Sequence, residues 1–257
     1  MQTTSLRESE VYELINRLLN QTLKTRKKVA VSDTLDEIHR FIILSHPVTQ
    51  NQMYSTLLKS DSPGVFEMFF KGYHYASCHG YMHEVLQGAL YAHQNKIWRN
   101  YIKQIITEEC QPQPHSALLK EFMDDCGFGD FQPLAKNTFI NNFIDAMKKG
   151  FSQNLAFALG YSLAIEIEGG YQIALIEAAC QRMFPEQTQK TIWFQIHLDP
   201  TGEEEHAAFT VRTIESLVST KDEYKQLYQG FKQACDDTYQ FMNSYYEYIS
   251  SSSINLV

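Results

Sequence analysis

Cysteine is scarce in this 257-residue chain, and the few present do not pair. Cys78, Cys110, Cys126, Cys180 and Cys235 are odd in number, and no two stand in a CxxC spacing. That argues against a disulfide framework and against a thiolate zinc site. They read as reduced, mostly buried thiols, so any metal here must be held by His, Glu and Asp. Positive charge is also short: 22 Lys and Arg against 30 Asp and Glu give a net charge of -8. A nucleic-acid binder needs a basic footprint, so that class is set aside. The one basic cluster, KTRKK at 24–28, closes a helix, where cations suit the negative end of the dipole.

Long apolar runs are missing as well. No window reaches the ~18 uninterrupted apolar residues of a membrane span. The amino-terminal stretch MQTTSLRESEVYELINRLL is charged and amphipathic, without the basic start, apolar centre and small-residue cleavage site of a signal peptide. A soluble, cytoplasmic protein is expected, with no membrane and no nucleic-acid partner.

Only 7 prolines and 12 glycines occur, and they fall between periodic segments. Helical spacing of apolar residues covers 6–28. A second helix starts after Thr34, with Glu37 completing a capping box, and ends before Pro47. Further helices are expected at 49–60, 65–109, 115–125, 134–149, 151–168, 171–183, 187–198, 203–217 and 220–250. Strand alternation is absent. The expectation is an all-α bundle of about seven or more helices, one domain over 1–250, with 251–257 frayed.

Three stretches carry chemistry. The first is HLDPTGEEEH at 197–206, where an acidic run begins and ends in an imidazole. Glu203 and His206 are three apart and share a helical face, whereas His197, nine residues before His206, falls on the opposite side of a straight helix. Pro200 and Gly202 argue against a straight helix, and an unwound turn would bring His197 back. The alternative is a solvated helix end with an acidic first turn. The second stretch is GFSQNLAFALGYSLAIEIE at 150–168, apolar nearly all round, which signals a buried helix. It delivers Glu166 and Glu168 just before Gly169–Gly170, and Glu166 is favoured. A buried carboxylate at that end needs a cation or a hydrogen-bond partner, whereas one that has reached solvent does not. The third is IITEECQPQPH at 105–115, where Glu108 and His115 stand seven apart, two helical turns, with prolines between them. A rival cluster, His79, His83 and Glu84, has metal-compatible spacing but no partner set, and ranks lower, with a supporting role left open.

Taken in order, Glu108 and His115, Glu166, then His197, Glu203 and His206 resemble the ligand pattern of heme-oxygenase-like di-metal oxidases. Among these the chain is most similar to the CADD-like proteins. The resemblance implies a heme oxygenase-like bundle, with these six residues as metal ligands and Glu204 or Glu205 as alternatives to Glu203. It implies two iron ions, with manganese as the alternative, O2 as co-substrate, a small organic substrate, and no exclusion of a homodimer. The third motif departs by being two residues longer than usual. Imidazoles and carboxylates without thiolates suit iron or manganese independently of the resemblance. Two other functions stay open: a protein-interaction module with a vestigial or structural metal site, and a relative in thiamin or quinone-cofactor metabolism or in self-sacrificing aromatic-acid synthesis.

Overall fold

The computed structural model describes the backbone of residues 46–128 and 137–252, and their side chains apart from 200–207. The helices expected at 6–28 and 34–46 and the tail from 253 lie outside the described residues. Among those described, the chain is helical without strands.

The elements follow the punctuation in the sequence. A 3-10 turn at Pro47–Gln50 leads into α1 (Gln52–Lys59), capped by the Asn51 side chain. Helix α2 (Pro63–Tyr73) passes directly into a π-helical segment, His74–Leu86, and then into α3 (Gln87–Ala92). The expected single helix over 65–109 is thus interrupted twice. The backbone turns extended at His93, and Asn95 caps a new helix, α4 (Lys96–Glu108), by accepting from the Ile97 and Trp98 amides. Helix α5 (His115–Asp125) begins where the prolines end, and α6 (Thr138–Ser152) begins and ends a few residues later than expected.

At the centre is α7 (Leu155–Met183), capped by Asn154 and buried on nearly every side. The expected break at Gly169–Gly170 does not occur: both glycines lie inside this one helix. A helical glycine costs about 1 kcal/mol relative to alanine, which the buried apolar flanks on either side offset. The short helices α8 (Pro185–Lys190) and α9 (Ile192–Leu198) follow. Asp199 is extended, with ψ of 117°, and Pro200 opens α10 (Pro200–Leu217). One helix therefore ends and another begins at a single residue, with no unwound turn inside a continuous helix. Proline suits the first helical position because that N–H has no intrahelical partner. The last helix, α11 (Lys221–Ser251), starts with a Thr220–Glu223 capping box.

Helices α7 and α11 are packed side by side. A Cβ on Gly160 would lie 1.9 Å from the Leu227 carbonyl oxygen, and one on Gly230 would lie 2.0 Å from that of Phe157. Two reciprocal glycines thus let the backbones touch. Gly160 meets Leu227 while Glu168, further along α7, meets Thr238, further along α11, so the two helices run in the same sense. Parallel neighbours need a crossover connection. Here α8, α9 and α10 return the chain, with α9 against α7 and α10 against both α7 and α4.

Candidate metal centre

A cavity of about 300 Å³ opens beside the middle of α7. Glu108, Glu109, His115, Glu166 and His197 line it, and they come from α4 and the residue after it, α5, α7 and α9. Apolar side chains, Phe143, Met147, Ile173, Phe241 and Met242, line it too. No lysine or arginine is among the described lining residues.

The two histidines are set by local backbone. His197, in the last turn of α9, bonds through Nδ1 to the Trp193 carbonyl one turn back, at 2.7 Å. A carbonyl can only accept, so Nδ1 carries the proton and Nε2 is the basic nitrogen. His115, the first residue of α5, donates from Nε2 to the Gln111 carbonyl at 3.0 Å. Its Nδ1 lies 3.0 Å from Glu109 Oε2. The two rings meet edge to face with centroids 4.7 Å apart. Fixing one ring nitrogen by a backbone carbonyl is how metal-binding imidazoles are generally oriented.

The chain does not run helically from Glu108 to His115. Helix α4 ends at Glu108, and the backbone turns so that the His115 amide bonds the Glu109 carbonyl at 3.0 Å. The carboxylate that meets His115 is therefore Glu109. Glu108 also faces the cavity and accepts from Gln104 Nε2 at 2.8 Å. Sequence reasoning passed over Glu109. The only signal for it was the doublet of acids at a helix end, where the last turn decides which one points inward.

Neither Glu166 nor Glu168 has run out into solvent, because α7 continues past both. Glu166 is half-buried on the cavity wall. Glu168 is 2% exposed. The Thr238 hydroxyl donates to its Oε1, and Oε2 has no hydrogen-bond partner among the described residues. Burial pushes its carboxyl up to about 8. Glu203 and His206 lie on the first turns of α10, and their side chains lie outside the described residues, as do those of Glu204 and Glu205. His79 and His83 are exposed on the π-helical segment, rings 4.7 Å apart, and do not line the cavity.

The inner face of the π-helical segment is also part of the site. Ser77, Cys78 and Tyr81 of the segment line the cavity, together with Tyr73, the last residue of α2. A π-turn is wider than an α-turn, so residues four to five apart come to one side. Burial pushes the Tyr73 and Tyr81 phenols and the Cys78 thiol up, and nearby charges, that of Glu109 among them for all three, add to it. These groups keep their protons. Tyr81 Oη has no hydrogen-bond partner among the described residues.

Residues 67–239 match a family model described as an iron-containing redox enzyme. The chain belongs to this family of iron-containing redox enzymes. A member of the iron-containing redox enzyme family needs donors for iron, and the residues present fit that metal. They offer imidazole and carboxylate, the one thiol is held protonated, and a buried phenol on the cavity wall lacks a partner. Among the described residues, no three potential ligands are already drawn in to one point.

Solved structures similar to this iron-containing redox enzyme family member show the fold. A CADD-like protein of unknown function from Nostoc punctiforme PCC 73102 has a TM-score of 0.64 at 16% identity, covering 94% of this chain and 98% of that one. A second structure of that protein gives 0.58 at 14%, covering 93% and 100%. A domain of unknown function with a heme oxygenase-like fold from Shewanella denitrificans OS217 gives 0.61 at 12%, covering 99% of each. The fold is heme oxygenase-like. No curated protein sequence matches the chain.

Proposed function

We propose that the protein is a non-haem di-iron oxidase or oxygenase that uses O2 on a small organic substrate with an apolar body. The observation that carries this reading is the meeting of His115 and His197. They come from different helices, each has one ring nitrogen tied to a backbone carbonyl, and both share one cavity with Glu108, Glu109 and Glu166. In this reading Glu108, His115 and Glu166 act with His197, Glu203 and His206 of the crossover, and Glu109 joins them beside His115. Imidazole and carboxylate donors from several bundle helices form the kind of set that holds paired iron, with manganese as the other metal of matching hardness. Bound iron supplies the redox chemistry toward O2.

The chain's own side chains do the rest. The carbonyl bonds hold both imidazoles in one tautomer. Phe143, Met147, Ile173, Phe241 and Met242 exclude water and orient the substrate's apolar part. Tyr81 holds a proton at Oη on the cavity wall, where a polar substrate atom can accept it.

The test is iron content after anaerobic reconstitution with Fe(II). Wild-type protein is expected to hold about two irons per chain and to develop an optical band on exposure to O2. Glu166→Ala and His206→Ala are expected to lose at least one iron each. Full iron in both variants rejects the reading.

A further inference from the structure

Three buried hydroxyls meet away from the cavity and belong to three different helices. Tyr101 Oη of α4 lies 2.7 Å from Ser162 Oγ of α7 and 2.9 Å from Thr210 Oγ1 of α10. Their residues are 1%, 0% and 1% exposed. The Tyr101 ring is clamped by Trp98 and Phe209, at 5.9 and 5.5 Å. None of the three residues lines the cavity.

Their register is informative. Tyr101 stands seven residues, two turns, before Glu108 on α4. Ser162 stands one turn before Glu166 on α7, and Thr210 one turn after His206 on α10. On a helix, residues three, four and seven apart share a face. The hydroxyls therefore tie together three ligand-bearing helices one to two turns from their ligands. The Tyr101 phenol also lies within electrostatic reach of the Glu166 and Glu108 carboxylates.

Stability alone does not call for this arrangement. Replacing hydrogen-bonded polar partners in a core by apolar groups of the same shape is often neutral or stabilising. A satisfied buried network does fix how elements meet. Apolar packing tolerates a small axial slip, whereas two hydrogen bonds on one phenol do not. A metal site needs its donors held within about 0.5 Å.

We propose that Tyr101, Ser162 and Thr210 are positioning residues that set the height and rotation of α4, α7 and α10, and through them the affinity of one metal position. This rests on the reading of Glu108, Glu166 and His206 as ligands.

The experiment is Co(II) titration of metal-free protein, read by the visible d–d band, alongside urea unfolding of the same metal-free samples. Tyr101→Phe and Thr210→Val remove single hydroxyls while keeping shape, and Thr210→Ser keeps the hydroxyl. Tyr101→Phe and Thr210→Val are expected to weaken one of two Co(II) equivalents by about 10- to 100-fold. Their d–d bands are expected to change, while their urea midpoints fall by no more than the loss of one buried hydrogen-bond partner costs. Thr210→Ser is expected to bind as wild type does. Wild-type affinity for both equivalents in Tyr101→Phe and Thr210→Val overturns the proposal. If Tyr101→Phe does not fold, the Thr210→Val and Thr210→Ser pair decides, and equal binding by the two overturns it. Glu166→Ala separates the layers: if it loses Co(II) while the hydroxyl variants keep it, only the positioning role fails. No Co(II) uptake by wild-type protein, or full uptake by Glu166→Ala, overturns the ligand reading itself.

Discussion

Glu168 shows at the scale of one residue how a buried acid outside the imidazole set shapes the protein. Its carboxyl is held near 8 by burial, against 4.5 for an exposed glutamate. Between these values the unfolded chain releases a proton that the folded, metal-free protein keeps. The stability tied to this group is therefore full below about 4.5 and is lost as pH rises through about 8, on the order of 5 kcal/mol at most. Glu168→Gln is expected to flatten that decline. Urea midpoints of metal-free protein between pH 5 and 8.5 check it, and parallel profiles for the two proteins would refute it. The sequence placed Glu166 and Glu168 near one another but could not rank their burial, because the helix was read as ending there. His115 was legible as a residue type in company with acids. Its partner was not, since the turn after Glu108 exchanges one glutamate for its neighbour.

At the scale of elements, apolar periodicity marked most helices, because a buried face repeats with the helical turn whatever the neighbours are. It did not reveal the π-helical segment, where HYASCHGYMHEVL has no local pattern that separates one wide turn from another. It overread Gly169–Gly170 as a stop, because glycine permits a break without requiring one. The cap at Asn95 was a readable signal inside a stretch whose apolar pattern suggested continuity. The meaning of Gly160 and Gly230 emerges only when α7 and α11 are seen together. Gly160→Ala and Gly230→Ala each put a methyl against a backbone carbonyl, which cannot swing aside as a side chain would. Each is expected to destabilise by about 3 kcal/mol or more, by comparison with overpacked cores. Chemical denaturation measures this, and a loss under about 1 kcal/mol would mean that the helices are not so closely apposed.

At the scale of the whole molecule, the all-α class was legible because alternation is missing and helical spacing is everywhere. The same-sense pairing of α7 and α11 was not, since it depends on how a 37-residue connection, 184–220, folds back. That connection brings His197 to His115 and carries α10 alongside α4 and α7. Among the described residues no helix is long and apolar enough to cross a membrane. The bundle shape persists in structures only 12–16% identical, so it constrains the backbone far more than the chemistry. The chemistry rests on where metal sits. The most direct measurement is anomalous scattering at the iron edge from crystals of anaerobically reconstituted protein. Two peaks are expected in the cavity between His115, His197 and Glu166. Iron found only at the exposed His79–His83 pair, or no peak in that cavity, would contradict the di-iron account.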